Sequence, residues 1–193
     1  MHHIYHTEGI ILGSSNSGEA GKYYSIFTRD LGMVTAYAQG VRKMSSKLRF
    51  ILQDFACIKV DLVAGRNIFR VTSASKTGEL GELIKNKDTF QVVANIARLL
   101  KRLLAGIEPN EELFSDLLNG LYILEKSQTK DGLRNIEAII VLRILNNLGY
   151  IGENDVLENI IKSPFEENLI FEASKARTKV LEQINKALRE THL

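Results

Sequence analysis

The sequence predicts an α+β protein: a small five-stranded β-barrel at the N-terminus followed by an all-α helical domain. Two observations carry this. Over the first 76 residues, runs rich in Ile, Val, Phe, Tyr and Thr alternate with turn signals at strand spacing. Beyond them, apolar residues recur at three- and four-residue steps, the period of a helix. Formal charge divides at the same place, +5 over residues 1–76 and −3 over residues 77–193, so the two halves present different surfaces. A chain of 193 residues has room for two small domains, which we set at 1–76 and 77–193.

Five strands are expected at Thr7 to Gly13, Lys22 to Arg29, Met33 to Gln39, Leu52 to Val63 and Asn67 to Ser75. In the third, Val34, Ala36 and Ala38 fall on one face and Thr35, Tyr37 and Gln39 on the other. In the fourth, Ala56, Ile58, Val60 and Leu62 oppose Lys59 and Asp61, as a half-buried strand requires. Ala64-Gly65-Arg66-Asn67 is expected to join the fourth and fifth strands as a hairpin. Five short strands in so few residues favour closure, because a flat sheet would leave its edges exposed.

The boundary falls at residues 76–81, Lys-Thr-Gly-Glu-Leu-Gly. The first long helix carries Val93, Ile96, Ala97, Leu100, Leu103 and Leu104, with Asp88 and Gln91 as its capping pair. Gly106 and Pro109 end that run, and Asn110 caps a helix striped by Leu113, Phe114, Leu117, Leu118 and Leu121. The third, from about Asp131 to Leu148, is apolar almost all round and is expected to be the central buried helix. Gly149 stops it. A short helix follows near Asp155 to Ile161, and a last one runs from Glu172 to about Glu190.

Composition narrows the function. Hydrophobic residues make up 45% of the chain, and no apolar run approaches the ~18–20 residues of a membrane span. The N-terminus lacks the basic start and long apolar middle of a secretory signal, so a cytoplasmic location is expected. The single cysteine, Cys57, rules out an intrachain disulfide and a cysteine-based zinc site and reads as an inert core residue. Gly13 to Lys22 has the flavour of a phosphate loop, but Glu19 follows Gly18 and Tyr23 follows Gly21-Lys22, where a P-loop needs Gly-Lys-Ser/Thr and then a helix. These glycines read as a flexible connection between strands one and two. His2, His3 and His6 lack the fixed partners of a metal site, and no Ser, Cys or His stands in a nucleophile or general-base pattern. No catalytic residue, metal or cofactor is assigned.

What survives is Val41 to Arg49, which holds Arg42, Lys43, Lys47 and Arg49 and no anion. Such a run is either a surface for a polyanion or simply a solvated face. Tyr37 lies nearby on the outward face of its strand. It either stacks on an unpaired base, or covers a sheet surface or packs on the helical domain.

The order GIIL, GE-x-x-KYYSIFTRDLG, VTAYAQGVRK and SKLRFILQDF, spanning residues 7–75, resembles the N-terminal domain of the bacterial DNA repair protein RecO family. Leu142 to Tyr150, LRILNNLGY, is similar to that family's helical domain, more loosely. The resemblance implies an OB-fold followed by helices. It also implies a recombination mediator that binds single- and double-stranded DNA, anneals complementary strands, works with a RecR-like protein and the single-stranded-DNA-binding protein, and assists recombinase loading in a RecFOR-type pathway. Many members carry four zinc-binding cysteines after the Leu-Gly-Tyr; residues 151–165 here contain none. The DNA contacts expected are Arg42, Lys43, Lys47 and Arg49, with Lys22, Arg29, Arg66 and Tyr37 beside them. The rival reading is a protein-interaction module whose basic loop meets an acidic partner segment.

Overall fold

The computed structural model describes residues 3–77, 83, 85–104, 108–127, 129–152 and 157–191. The predicted boundary glycines Gly78 and Gly81, the breaker Gly106, the helix start at Asp155, and His2 lie outside the described residues. The chain forms two compact units: Met1–Glu82 with Ala97–Glu111, and Leu83–Ile96 with Glu112–Leu193.

The first unit contains strands β1 (Ile4–Ser17), β2 (Gly21–Thr28) and β3 (Gly32–Ala38), a short helix α1 (Leu48–Ile51), and strands β4 (Cys57–Ala64) and β5 (Phe69–Lys76). They close in the order β1-β2-β3-β5-β4, the OB-fold barrel. Closure rests on β3 running parallel to β5, with Ala36 opposite Phe69 and Tyr37 opposite Arg70. The long β1 serves two neighbours: Ile4 to Ile10 pair with β4, and Gly9 to Ser17 pair with β2. A bulge between Ile11 and Gly13 bends it from one to the other. Gly13 adopts φ 153° there, an option glycine has and other residues rarely use. Residues 13–22 are therefore mostly paired strand with a tight turn at 18–20, where a flexible connection was expected. The glycines bend and turn a continuous hairpin.

The alternation in β3 and β4 is realised. Val34, Ala36, Ala38, Ile58, Val60 and Leu62 fill the barrel with Ile11, Tyr24 and Ile26, each large side chain contributing about 1.5–3 kcal/mol by leaving water. Cys57 is buried. The fourth strand begins five residues later than expected, however. Leu48 to Ile51 form a helical turn, closed by Leu52 N–H donating to the Leu48 carbonyl at 2.8 Å. Phe55 then takes φ 68°, a left-handed conformation that ends any extended run. Its N–H donates to the Ile11 carbonyl at 2.7 Å, which pins the turn to β1.

Tyr24 is 1% exposed inside this barrel. Burial, and secondarily the Asp54 carboxylate, push its phenol from 10.0 up to about 12. An unfolded tyrosine therefore loses its proton before the folded one. Stability that is complete below pH 10 is lost as pH rises through the folded value. Between about pH 9 and 12 the unfolding free energy from denaturant titrations should fall by up to ~2–3 kcal/mol more in the native chain than in Tyr24→Phe. An equal fall in both would assign the alkaline loss to other groups.

The other helices are α2 (Lys87–Leu103), α3 (Glu111–Lys126), α4 (Lys130–Asn147), α5 (Glu158–Lys162), α6 (Glu167–Lys175) and α7 (Arg177–Glu190). Asn86, rather than the Asp88–Gln91 pair, caps α2: its side-chain oxygen accepts from Asp88 N–H at 2.8 Å. Thr129 caps α4 by accepting from Gly132 N–H at 3.1 Å. Helix α4 is central in the second unit, buried along Leu133, Ile136, Ile139, Ile140, Ile144 and Leu145, with α5, α6 and α7 packed against it. Gly149 ends it with φ 78°. The single last helix expected from Glu172 is two helices that break at Ala176. Arg177 anchors the second by donating to Asn135 Oδ1 at 2.7 Å. Among the described residues no helix is long and apolar enough to cross a membrane.

Candidate nucleic-acid interface

Residues 39–56 connect β3 to β4 and carry the four cations. The segment turns at Gly40, φ 67°, and buries Val41 at its start and Leu52 at its end. Leu48 and Ile51 pack on the barrel core between them. With these apolar residues drawn inward, Arg42, Lys43, Lys47 and Arg49 are left exposed. Backbone bonds fix the path: Lys43 N–H donates to the Gly40 carbonyl at 3.1 Å and Ser46 N–H to the Lys43 carbonyl at 3.0 Å. Arg42 ties the segment to the β1–β2 turn through its N–H to the Ala20 carbonyl at 2.9 Å and Nη1 to the Gly18 carbonyl at 3.2 Å. Among the described residues none of the four cations pairs with a carboxylate. Their field is left for an outside anion.

The same turn borders an aromatic surface. Tyr37 on β3 and Tyr23 on β2 face each other across the ladder, ring centroids 5.2 Å apart and tilted by 49°, and Tyr23 is exposed. A side chain at Gly21 would meet the Tyr37 hydroxyl at 2.3 Å, so the Tyr37 ring lies across Gly21. Arg42 and Tyr37 therefore flank one turn, residues 18–21. The parallel register with β5 sets the exposed Arg70 beside Tyr37, where it donates to Gln39 Oε1 at 3.3 Å. Sequence reasoning passed over Tyr23 and Arg70. The alternation of β2 could have signalled the first; the second depends on a parallel pairing that no local pattern encodes.

The three outlying cations differ. Lys22 is half-buried and donates to Ser14 Oγ at 3.3 Å. Arg66 is exposed in the β4–β5 turn, which Gly65 N–H closes on the Ile68 carbonyl at 2.9 Å. Arg29 follows the far end of β2 and is held by Glu8 at 3.1 Å and Glu111 at 3.2 Å. Burial works against its charge, but those two carboxylates outweigh it and raise its pKa above the usual arginine value. Its charge is matched inside the fold, which separates it from the exposed set. His6 lies opposite Asp61 across β1 and β4 at 2.6 Å, and the described residues contain no cluster of three metal-ligating side chains.

Comparison with known proteins agrees with the barrel and with the helices. Residues 1–78 match the family Recombination protein O N terminal, and residues 88–153 match Recombination protein O C terminal. DNA repair protein RecO of Rubrobacter xylanophilus is 31% identical over 147 residues, 76% of this chain and 58% of that protein. The RecO protein of Heliobacterium modesticaldum is 31% identical over 150 residues, 78% of this chain and 53% of its own. That of Roseiflexus sp. is 32% identical over 148 residues, 76% and 50% respectively. The chain thus spans about half the length of these curated relatives. With both family domains matched in order over most of its length, on a closed OB barrel followed by helices, the chain belongs to the RecO family.

Proposed function

We propose that this chain is a DNA-binding recombination mediator in DNA repair, acting in the cytoplasm and without catalysis of its own. The observation that carries the reading is the exposed, carboxylate-free set Arg42, Lys43, Lys47 and Arg49, on a segment that Arg42 ties to the turn Tyr37 overlies. Barrels of this kind bind single strands by tracking phosphates with cations and stacking bases on aromatic rings. Membership of the RecO family supports extending the role to annealing complementary strands, and to acting with a RecR-like protein and the single-stranded-DNA-binding protein when a recombinase is loaded. The proposal includes double-stranded DNA as a ligand. A four-cysteine zinc site does not fit this chain, whose one cysteine is buried in β4.

Fluorescence anisotropy with a labelled single-stranded oligonucleotide tests the reading. Binding that weakens with salt is expected, together with annealing of complementary strands that needs no nucleotide. Negligible affinity at moderate salt would favour a protein-interaction module that takes an acidic partner segment. Annealing that depended on ATP would overturn the non-enzymatic assignment.

A further inference from the structure

The connection that carries the cations also exposes two large apolar side chains. Met44 is 83% exposed and Phe50 is 62% exposed, in a connection that buries Val41 and Leu52. The helical turn accounts for Phe50. Leu48, Ile51 and Leu52, at i, i+3 and i+4, face the barrel core, and the same rotation directs Arg49 and Phe50 to solvent. Arg49 joins the pair into one cluster: Nη1 donates to Met44 Sδ at 2.7 Å, and Cζ lies 5.8 Å from the centroid of the Phe50 ring, inside cation–π range.

We propose that Met44 and Phe50, with Arg49 between them, form a stacking element for unpaired nucleobases that makes the interface selective for single-stranded over uninterrupted duplex DNA. The inference rests on the reading of this loop as a DNA interface and names which DNA it selects. Four cations without a carboxylate call for an anionic ligand, while a bare ring and a thioether call for an apolar face within a few ångströms of that charge. An unpaired strand offers both at once, phosphates in series and bases free to stack. An intact duplex offers the phosphates alone, because its bases are stacked on each other and only their edges reach the grooves. Charge complementarity therefore favours nucleic acid, and the apolar pair narrows it to single strands.

The test uses the full chain and its Phe50→Ala, Met44→Ala and double variants, with fluorescence anisotropy on a labelled single strand, a blunt duplex of equal length, and an abasic single strand carrying the same phosphates. Both side chains are solvent-exposed, so circular dichroism and melting temperature should match the native chain. The double variant should bind the normal single strand roughly ten- to a hundred-fold more weakly, since alanine in place of a stacking group removes a contact of that order. Duplex affinity should stay within about two-fold, and the salt slope should not change, because every phosphate contact is retained. The native chain should bind the abasic strand no more tightly than the double variant binds the normal one, because Tyr37 loses its base there as well. Phe50→Trp should retain binding. Equal losses on single strand and duplex, or no loss on the single strand, would overturn the stacking element while leaving the DNA interface standing; a native chain that binds neither nucleic acid would overturn both. DNA binding untouched by the double variant would reassign the two side chains to a protein contact.

Discussion

Replacing Arg42, Lys43, Lys47 and Arg49 together with alanine is expected to remove most of the salt dependence of single-strand binding. Each cation that neutralises a phosphate adds about −0.7 to the slope of log affinity against log salt, so four supply roughly −2.8, and raising salt from 50 to 200 mM should weaken native binding about fifty-fold through them. The fold makes all four available: each is exposed, and none is paired with a carboxylate among the described residues. Because Val41 and Leu52 anchor the segment, the quadruple variant should keep its melting temperature. Arg29→Gln is the control. Its charge already faces Glu8 and Glu111, so it should leave the slope alone and cost stability instead. A quadruple variant with the native slope would sink the loop assignment.

The second large effect is on stability. Arg143, 6% exposed along its side chain, sits in the last third of α4. Nε and Nη2 donate to the Ile160 carbonyl at 3.1 and 3.0 Å, and Nη2 donates also to the Ser163 carbonyl. Nη1 meets Asp116 at 2.6 Å, and the Phe165 ring lies 4.9 Å from Cζ. One guanidinium thus joins α3, α4, α5 and the residues just after α5. Arg143→Ala would strand a carboxylate and two carbonyls, and removal of one partner from a buried pair costs about 3–5 kcal/mol. In a chain of this size that corresponds to a melting temperature lower by roughly 10 °C. Lysine keeps the charge but lacks the planar fork, so Arg143→Lys should fall between. A variant melting within about 2 °C of the native chain would show that the network contributes little.

What the sequence reveals about this fold is local. Period-two alternation identifies Val34, Ala36 and Ala38 as interior, and the nearly all-apolar run after Asp131 identifies the central helix. The helical turn at Leu48 escapes notice because it runs into the strand-forming stretch at Cys57 to Val63 without a glycine or proline between, and the interruption lies in one backbone angle at Phe55. The break at Ala176 has no sequence signal either, since alanine is the best helix former. For the candidate interface, the cations are legible and their pairing is not. Glu8 lies 21 residues before Arg29 and Glu111 lies 82 after it, so only the fold shows that this cation is matched while its neighbours are exposed. Arg143 is hidden for the same reason, its partners coming from 27 residues before it and 17 to 20 after.

The apolar anchoring of residues 41–52 has an electrostatic consequence. Four like charges within eight residues repel one another, and an unconstrained peptide of this sequence would spread them apart. Burial of Val41 and Leu52, and the bond from Arg42 to the Gly18 carbonyl, fix the segment that carries them against that repulsion. On the proposed reading the work of gathering charge is done when the barrel folds, so an arriving phosphate chain would meet a preorganised field and need not assemble one.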